Sequence, residues 1–509
     1  MSVSRIGAWL AAAALLGAVA APDAAAQRAR GSGEASAFLA LEHWAVDAVR
    51  RLDALGLVAP GGADAASRSL TRSGALALFE SAVLRAERES RPAAAALAAA
   101  YRARLIEEFG ELGRESDGPG SGARLGTAWV EAGYGQEEGG LRVGRGYAPS
   151  DDDWVAPTAL EAAGDGWIGA AADVALGRRL VLVGSGEFGP ETRWGEAYAL
   201  VAWRPVRVWV GRRGYVYGAG RGGGLVLSGR APYDGGGLFL ADPITLPWVL
   251  RHLGPVRGEV ALARLEENGD FVHPWLWSLR GTIAPHARLT IGLTRSVMLG
   301  GQGNTSFSLK NLAYVMIGKH AGEGGEFDNQ IVSVDVRYRP PVPVPVVVYL
   351  EWGMEDSAGA WKDVPGWVVG AEFGALPGLP AVSAGLERTS FARSCCGNPA
   401  WYRNWAFRGG WADAGRPLGH PLGGHGTEWL AHVAVDLLDA RLGVEGRVFL
   451  RERREENLFI PDRLGESRGG EFRARLRASP RFDVEVAGRV DSGDGWRESG
   501  LSSGVRVRF

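Results

Sequence analysis

The sequence has few of the features that mark several common classes of protein. It contains only two cysteines in 509 residues, and its formal net charge is −2. A nearly neutral chain gives no electrostatic reason to expect a nucleic-acid partner. The cysteines, Cys395 and Cys396, are adjacent. This arrangement favours a loop thiol pair, or a strained vicinal disulfide in an oxidising compartment, over a metal site.

Long apolar runs are also missing once the amino-terminal segment is set aside. That segment has Arg5, an apolar stretch that starts at Ile6, and small residues at Ala24, Ala25 and Ala26. We therefore predict a secretory signal peptide over residues 1–26. No later apolar run reaches the roughly 18 residues that a spanning helix needs, so a membrane protein built of helices is excluded.

What the sequence does contain is alternation of apolar and polar residues from position 124 to position 509. In one example Val332, Val334 and Val336 alternate with Ser333 and Asp335. Strands that are apolar on one face and charged on the other need an apolar exterior and a wet interior. Further strands are predicted to begin near Leu125, Leu141, Ile168, Leu180, Ala197, Val206, Leu225, Glu259, Trp275, Leu289, Val346, Val368, Val382, Glu428, Leu442, Phe472 and Phe482.

This pattern predicts a large closed antiparallel transmembrane β-barrel of about 16 to 20 strands in the bacterial outer membrane, in contact with its lipid. The final alternation ends in Phe509, which is typical of such barrels. The alternative is a soluble protein of several sheets, such as a propeller. Charged residues on consecutive strands favour the barrel, because a water-filled lumen accommodates them.

Six arginines near the carboxyl terminus are predicted to face the lumen. Two roles are open for them: they pair with Glu471, Asp483 and Glu485 across neighbouring strands, or they attract acidic sugars. We favour the structural role. The six are Arg473, Arg475, Arg477, Arg489, Arg506 and Arg508.

The region before the barrel has a helical period instead. Trp44, Ala48 and Leu52 recur at a spacing of four, and Pro92 is suited to begin a further helix. A second helix between them is predicted to bury Leu76, Phe79, Val83 and Leu84 on one face. We predict a small bundle of three helices over residues 27–112, a linker over 113–123 and the barrel over 124–509.

Ordered segments of the barrel region resemble one known family. Residues 207–212 and 224–232, in which Leu227 and Ser228 precede Ala231 and Pro232, are similar to a strand, loop and LSxxARP segment of the capsule assembly proteins of the Wzi family. The family's WGPG-type loop is replaced here by YGAG at positions 217–220. Other similar segments follow in the family's order, at residues 288–295, 300–303, 328–330, 335–338, 351–356, 402–404 and 415–423.

The resemblance implies an outer-membrane barrel with a helical bundle on its periplasmic side. It also implies a non-enzymatic lectin that anchors or assembles capsular or other exported polysaccharide at the cell surface. Residues 44–57 and 70–73 bear a partial likeness to an S-layer-homology module, which would imply contact with periplasmic cell-wall polymer.

Sugar binding by such a protein would use aromatic stacking platforms and charged hydrogen-bonding groups on extracellular loops. One segment concentrates these residue types. The candidates are Trp401, Tyr402, Arg403, Trp405, Trp411, Arg416 and His420.

Other constellations favour structural roles. Gly218, Gly220 and Gly223 fit GxGxxG, but strands on both sides favour a flexible loop over a dinucleotide site. Glu355 and Asp356 are adjacent, so on a strand they point to opposite faces and favour loop closure or glycan contact over glycosidase chemistry. We predict no catalytic set, no cofactor and no metal. The alternative functions are a porin-like channel for small solutes or sugars and, third, a barrel enzyme.

Overall fold

The computed structural model describes most of the chain. The predicted signal peptide, nearly all of the predicted linker, Leu141, both cysteines, Asp356 and Trp405 lie outside the described residues. The described residues are 35–62, 64, 67, 69–109, 122–138, 143–145, 148–150, 166–189, 192–228, 232–268, 271–304, 307–316, 328–355, 365–391, 401–404, 406–414, 416–455, 457, 459 and 463–509.

A closed antiparallel barrel of eighteen strands dominates the described part of the chain, within the predicted range of strand number. Each strand pairs with its neighbours in sequence, and the sheet closes because β1 pairs with both β2 and β18. The strands are β1 Gly122–Glu138, β2 Gly166–Leu176, β3 Leu180–Phe188, β4 Thr192–Trp203, β5 Val206–Arg213, β6 Tyr233–Leu240, β7 Pro255–Arg264, β8 Trp275–His286, β9 Leu289–Leu299, β10 Asp328–Tyr338, β11 Val346–Glu355, β12 Gly366–Phe373, β13 Val382–Phe391, β14 Gly426–Leu437, β15 Leu442–Arg453, β16 Gly465–Ser479, β17 Phe482–Gly493 and β18 Trp496–Arg508.

The two faces of the wall differ as the alternation predicts. Outward residues such as Val448 and Leu450 are exposed, whereas the intervening charged residues face the lumen. There Arg473 and Arg475 contact Glu485 at 3.1 and 2.7 Å. Arg489 lies 3.8 Å from Glu471, and Arg508 pairs with Asp483. The structural role that the sequence favoured is confirmed for these four arginines, whereas Arg477 contacts Glu107 of the helical region at 3.6 Å and Arg506 lies 5.7 Å from the ring of Trp129.

Two details of the strand prediction are wrong. Leu225 lies in a loop inside the barrel instead of a strand. Conversely, β6 was not predicted, because Gly235, Gly236 and Gly237 erase its side-chain alternation. The glycines are needed there: a Cβ on Gly237 would lie 2.7 Å from Nε1 of Trp209 on β5.

The predicted three helices are present before the barrel. They are α1 Trp44–Ala54, α2 Arg72–Arg88 and α3 Pro92–Glu108. Thr71 caps α2 by accepting a hydrogen bond from Gly74 N at 3.1 Å. The buried stripe of α2 differs from the predicted one, since Leu84 is exposed and small residues permit close packing. The buried residues of α2 are Ala75, Leu78, Phe79, Ala82 and Ala86. No helix among the described residues is long and apolar enough to span a membrane.

The two ends of the barrel have connections of different length. At one end, the short-turn end, most strands are joined directly, for example by residues 204–205 and 480–481. At the other, the long-loop end, residues 214–232 and 392–425 separate consecutive strands. The connection between β9 and β10 is also at this end, and it contains a short helix, α4 Leu309–Met316.

The helices lie at the short-turn end and are held there by charged groups. Arg51 pairs with Asp436, and Arg104 donates to Ala440 O at 2.6 Å. Glu108 contacts Arg508 of β18 at 3.1 Å.

Glu108 also joins α3 to the start of α1. It lies 3.1 Å from His43 Nε2 and accepts a hydrogen bond from Trp44 Nε1 at 2.7 Å. Burial alone would raise the pKa of Glu108, but His43 and Arg508 outweigh it and hold that pKa well below its usual range. Glu108 is therefore an ionised link between the bundle and the barrel.

Candidate functional site: a lumen closed by a loop and a cap

The connection between β5 and β6 enters the barrel, and we call its residues 214–228 the luminal loop. Two wall carboxylates hold its backbone. Glu351 accepts from Ala219 N at 3.0 Å and from Leu225 N at 3.1 Å. Glu387 accepts from Arg221 N at 2.6 Å and from Gly222 N at 3.0 Å. Hydrogen bonds from amides to an ionised or buried carboxylate are among the stronger ones, so they fix the loop to the wall.

Glycine is required where the luminal loop folds back on itself. A Cβ on Gly224 would lie 2.3 Å from the Cα of Gly218, closer than real contacts allow. The GxGxxG pattern thus lies in a loop, as predicted. This loop is packed, however, because its amides are bound by carboxylates and its two arms touch.

The luminal loop also meets the first helix inside the barrel. Arg50 of α1 donates to Ala219 O at 3.1 Å and contacts Glu372 at 2.9 Å. Arg221 of the loop lies 2.8 Å from Glu445 and 3.5 Å from Asp47 of α1. The loop and the bundle therefore fill the lumen together from its two ends.

Above the luminal loop lies a cap formed by residues 401–425 of the connection between β13 and β14, apart from positions 405 and 415. Tyr402 is its centre: its hydroxyl donates to Leu225 O at 2.6 Å and accepts from His420 N at 2.7 Å. Trp411 Nε1 donates to Val226 O at 2.7 Å. The cap thus rests directly on the luminal loop.

Four of the predicted sugar-binding residues hold the cap together. Trp401, Tyr402, Trp411 and His420 are each 0% exposed. They are packed against one another and against Phe391 of β13, whose ring lies 5.0 Å from that of Trp401. In this arrangement none of the four presents a free ring face to a sugar.

The other members of the predicted set differ in position. Arg416 is exposed and Arg403 is half-buried, so both are near the surface of the cap. Trp405 lies outside the described residues. Glu355 accepts a hydrogen bond from Tyr402 N, which gives it the loop-closing role proposed for that carboxylate.

His420 is a neutral, buried hydrogen-bonding group. Its Nδ1 accepts from Leu422 N at 3.1 Å, and its Nε2 lies 3.2 Å from Thr389 Oγ1. Burial lowers the pKa of His420 to about 4; nearby Arg451 and Arg453 act in the same direction, and Glu428 opposes them. Within the described residues no group of three or more His, Cys, Asp or Glu side chains is arranged to hold a metal ion.

A second loop, which includes Glu266 and Asn268, supports the cap, and this contact was not predicted from the sequence. Asp413 accepts from Glu266 N at 2.7 Å, and Asn268 Nδ2 donates to Gly410 O and Ala412 O, each at 2.8 Å. Burial raises the pKa of Asp413 to about 6. The sequence carries no local signal for this contact, because its two sides are about 140 residues apart.

Comparisons with known proteins agree with this architecture. The family model described as "Capsule assembly protein Wzi" matches residues 166–494. Comparison with curated proteins gives no match.

Among solved structures, the chain is similar to Wzi of Escherichia coli, described as an outer-membrane protein involved in group 1 capsule assembly and a carbohydrate-binding β-barrel. The two share 17% identity with a TM-score of 0.71, covering 93% of this chain and 100% of that one. OccD3 (OpdP) of Pseudomonas aeruginosa has 11% identity and a TM-score of 0.43, covering 77% of this chain and 94% of that one. OpdQ of the same organism has 8% identity and a TM-score of 0.44, covering 76% and 98%.

Proposed function

Because the chain belongs to the Wzi family of capsule assembly proteins, we propose that it binds capsular or other exported polysaccharide and holds it at the cell surface. It is an outer-membrane β-barrel. In this proposal the long-loop end faces outward and the short-turn end faces the periplasm, as in other barrels of this kind. The protein acts as a lectin and catalyses no reaction.

The filled lumen is the observation that carries this proposal over a channel. The luminal loop is bonded to the wall through Glu351 and Glu387, and α1 meets it through Arg50. A porin needs an open water-filled path, whereas a lectin needs a stable surface on which to bind. The filled lumen of this barrel therefore favours a lectin over a porin.

We place the sugar site on the outer surface of the cap. Arg403 and Arg416 are near that surface and offer planar groups of hydrogen-bond donors to sugar hydroxyls or carboxylates. Trp401, Tyr402, Trp411 and His420 act from below by fixing the backbone that carries these arginines. Trp405 stays in the proposed site as its aromatic platform.

A contact of the helical bundle with periplasmic cell-wall polymer is a further part of the proposal. It is supported by the partial module likeness and by a cleft of about 610 Å³ between α2 and the wall, lined by Thr71, Ser81, Arg85 and Arg257 among others.

The decisive experiment measures surface-attached and released polysaccharide in a strain that lacks the protein. We expect polymer to be made in normal amount and to move into the medium. Complementation with Arg403→Ala/Arg416→Ala should fail to restore attachment, whereas Arg102→Ala, an exposed arginine of α3, should restore it. Unchanged attachment in the deletion strain would refute the function; restored attachment by the double variant would refute the site alone.

A further inference from the structure

Three arginines lie in one row on the outside of the barrel. Cross-strand pairing runs from Arg388 on β13 to Trp429 and then to Leu450. From Leu450 it continues to Arg468 on β16. Beyond it follow Ser492 and Arg497. Side chains in such a row point to the same face, and the exposure of Trp429 and Leu450 shows that this face is the outer one.

The row marks the upper edge of the apolar band at the long-loop end. Below it, every outward residue of β14 and β15 is apolar. An arginine on the lipid face is strongly destabilising at the midplane of a bilayer but is tolerated near its interfaces. The row therefore belongs at the level of the lipid headgroups. The apolar residues below are Ala431, Val433, Val435 and Leu437 on β14, and Val448, Gly446, Val444 and Leu442 on β15.

These arginines differ from those of the lumen in their partners. The guanidinium of Arg388 lies between two tryptophans, 4.8 Å from the ring of Trp429 and 5.7 Å from that of Trp367. Arg468 is exposed and lies three strands away, which corresponds to about 14 Å at the usual strand spacing. Among the described residues, no carboxylate forms an ion pair with either guanidinium, so both remain available to an external anion.

A furrow runs down the outer wall directly beneath the row. Its upper part is a cavity of about 760 Å³ lined by Leu386, Trp429, Val448, Leu450 and Val490, among others. Its lower part, of about 640 Å³, shares Val448 and Val490 with the upper part. The furrow exists because glycines replace side chains at outward positions. They are Gly446 and Gly470.

We propose that this face binds a phosphorylated glycolipid of the outer leaflet, with one phosphate at Arg388, a second phosphate at Arg468 and an acyl chain in the furrow. Arginine suits the phosphate because its planar guanidinium matches phosphate oxygens and stays charged. The apolar furrow suits the chain because it is continuous with the lipid-facing band. The site is on the opposite face of the wall from the lumen and is separate from the sugar site of the cap.

The test is native mass spectrometry of the full-length protein in detergent, titrated with a bisphosphorylated, multiply acylated glucosamine disaccharide. Wild type should retain one molecule per barrel. Arg388→Gln/Arg468→Gln should weaken binding at least tenfold. The matched control is Arg264→Gln, since Arg264 is also at the long-loop end and stacks on Trp275 at 5.8 Å but is not beside the furrow. It should bind as wild type does.

A second variant separates the furrow from the phosphate contacts. Val448 is 61% exposed, so Val448→Phe adds bulk to the furrow without disturbing the interior of the barrel. We expect weaker binding with unchanged heat-modifiable mobility on gels, which reports a folded barrel. Equal binding by wild type and the double arginine variant would overturn the proposal. Equal retention of the dephosphorylated disaccharide or of phosphatidylglycerol would also overturn it.

Discussion

The lumen is closed at the short-turn end by charged side chains, and at the long-loop end by backbone amides and buried aromatic rings. Glu108 and Arg51 hold the helices through ion pairs with Arg508 and Asp436. The luminal loop is instead held by its own N–H groups and by the Tyr402 hydroxyl. The position of the helices, which ion pairs fix, is therefore sensitive to the loss of a charge. The position of the luminal loop, which close packing fixes, is sensitive to the addition of a single methyl group.

The largest effect is expected at the charged end. Glu108→Gln leaves Arg508 and His43 facing a neutral amide in a buried setting. Arg508 keeps Asp483 as a partner, so the cost is the loss of the Glu108 contacts with Arg508, His43 and Trp44, at about 1.5–3 kcal/mol for each hydrogen bond to a charged group. We expect the helices to unfold at lower urea concentration while the barrel stays intact, measured by circular dichroism at 222 nm in detergent.

The matched control is the neighbouring Glu107→Gln. Glu107 has a 45% exposed side chain and lies 3.6 Å from Arg477, so its loss should cost at most about 1 kcal/mol. Equal urea midpoints for the two variants would contradict the role given to Glu108.

The next effect is expected at the packed end. Gly224→Ala places a methyl group against the backbone of Gly218, and overpacking of this kind costs about 1–3 kcal/mol. We expect wild type to give no stable open conductance in planar bilayers and the variant to show channel openings. Gly446→Ala is the control, because an added Cβ there meets no atom within 4 Å. A variant as closed as wild type would show that the loop is not the seal.

The smallest effect is a pH dependence confined to the cap. His420 has its pKa lowered from 6.5 to about 4, so the folded cap resists a proton that the opened cap accepts. Cap stability is therefore complete above about pH 6.5 and is lost as the pH falls towards 4, by about 2 kcal/mol between pH 7 and 5. Asp413 has a raised pKa and opposes this trend near pH 6.

Papain digestion of the cap at pH 7 and at pH 5 measures this difference. Cleavage within residues 401–425 should accelerate at pH 5 in wild type. In His420→Gln the acceleration should disappear, since the side chain no longer titrates. A persistent acceleration in that variant would assign the pH dependence to another group.

The parts of the molecule that local pattern governs could be predicted from the sequence. Strands such as β16 alternate strictly, so the lumen-facing position of Arg473 and Arg475 and their pairing with Glu485 followed from period and charge. The helices followed from the spacing of Trp44 and Ala48 and from Pro92.

The candidate site could be predicted less well, because long-range packing determines it. Trp401 and Tyr402 have the composition of a sugar platform, but their burial inside the cap depends on Leu225, which is 177 positions away from Tyr402 in the sequence. Strand β6 was missed for a similar reason. Its glycines leave space for the side chain of Trp209 on the neighbouring strand, and they show no alternation of apolar and polar residues.

The contact between Glu108 and Arg508 has a consequence for the order of assembly. The two residues are 400 positions apart, and Arg508 is on the eighteenth strand, where the sheet meets β1. The helices are therefore unable to reach their final seat until the eighteenth strand has joined the sheet. Helices packed in their final position therefore indicate a completed barrel. In a barrel whose assembly stops before β18 pairs with β1, Glu108 lacks the guanidinium of Arg508 as a partner.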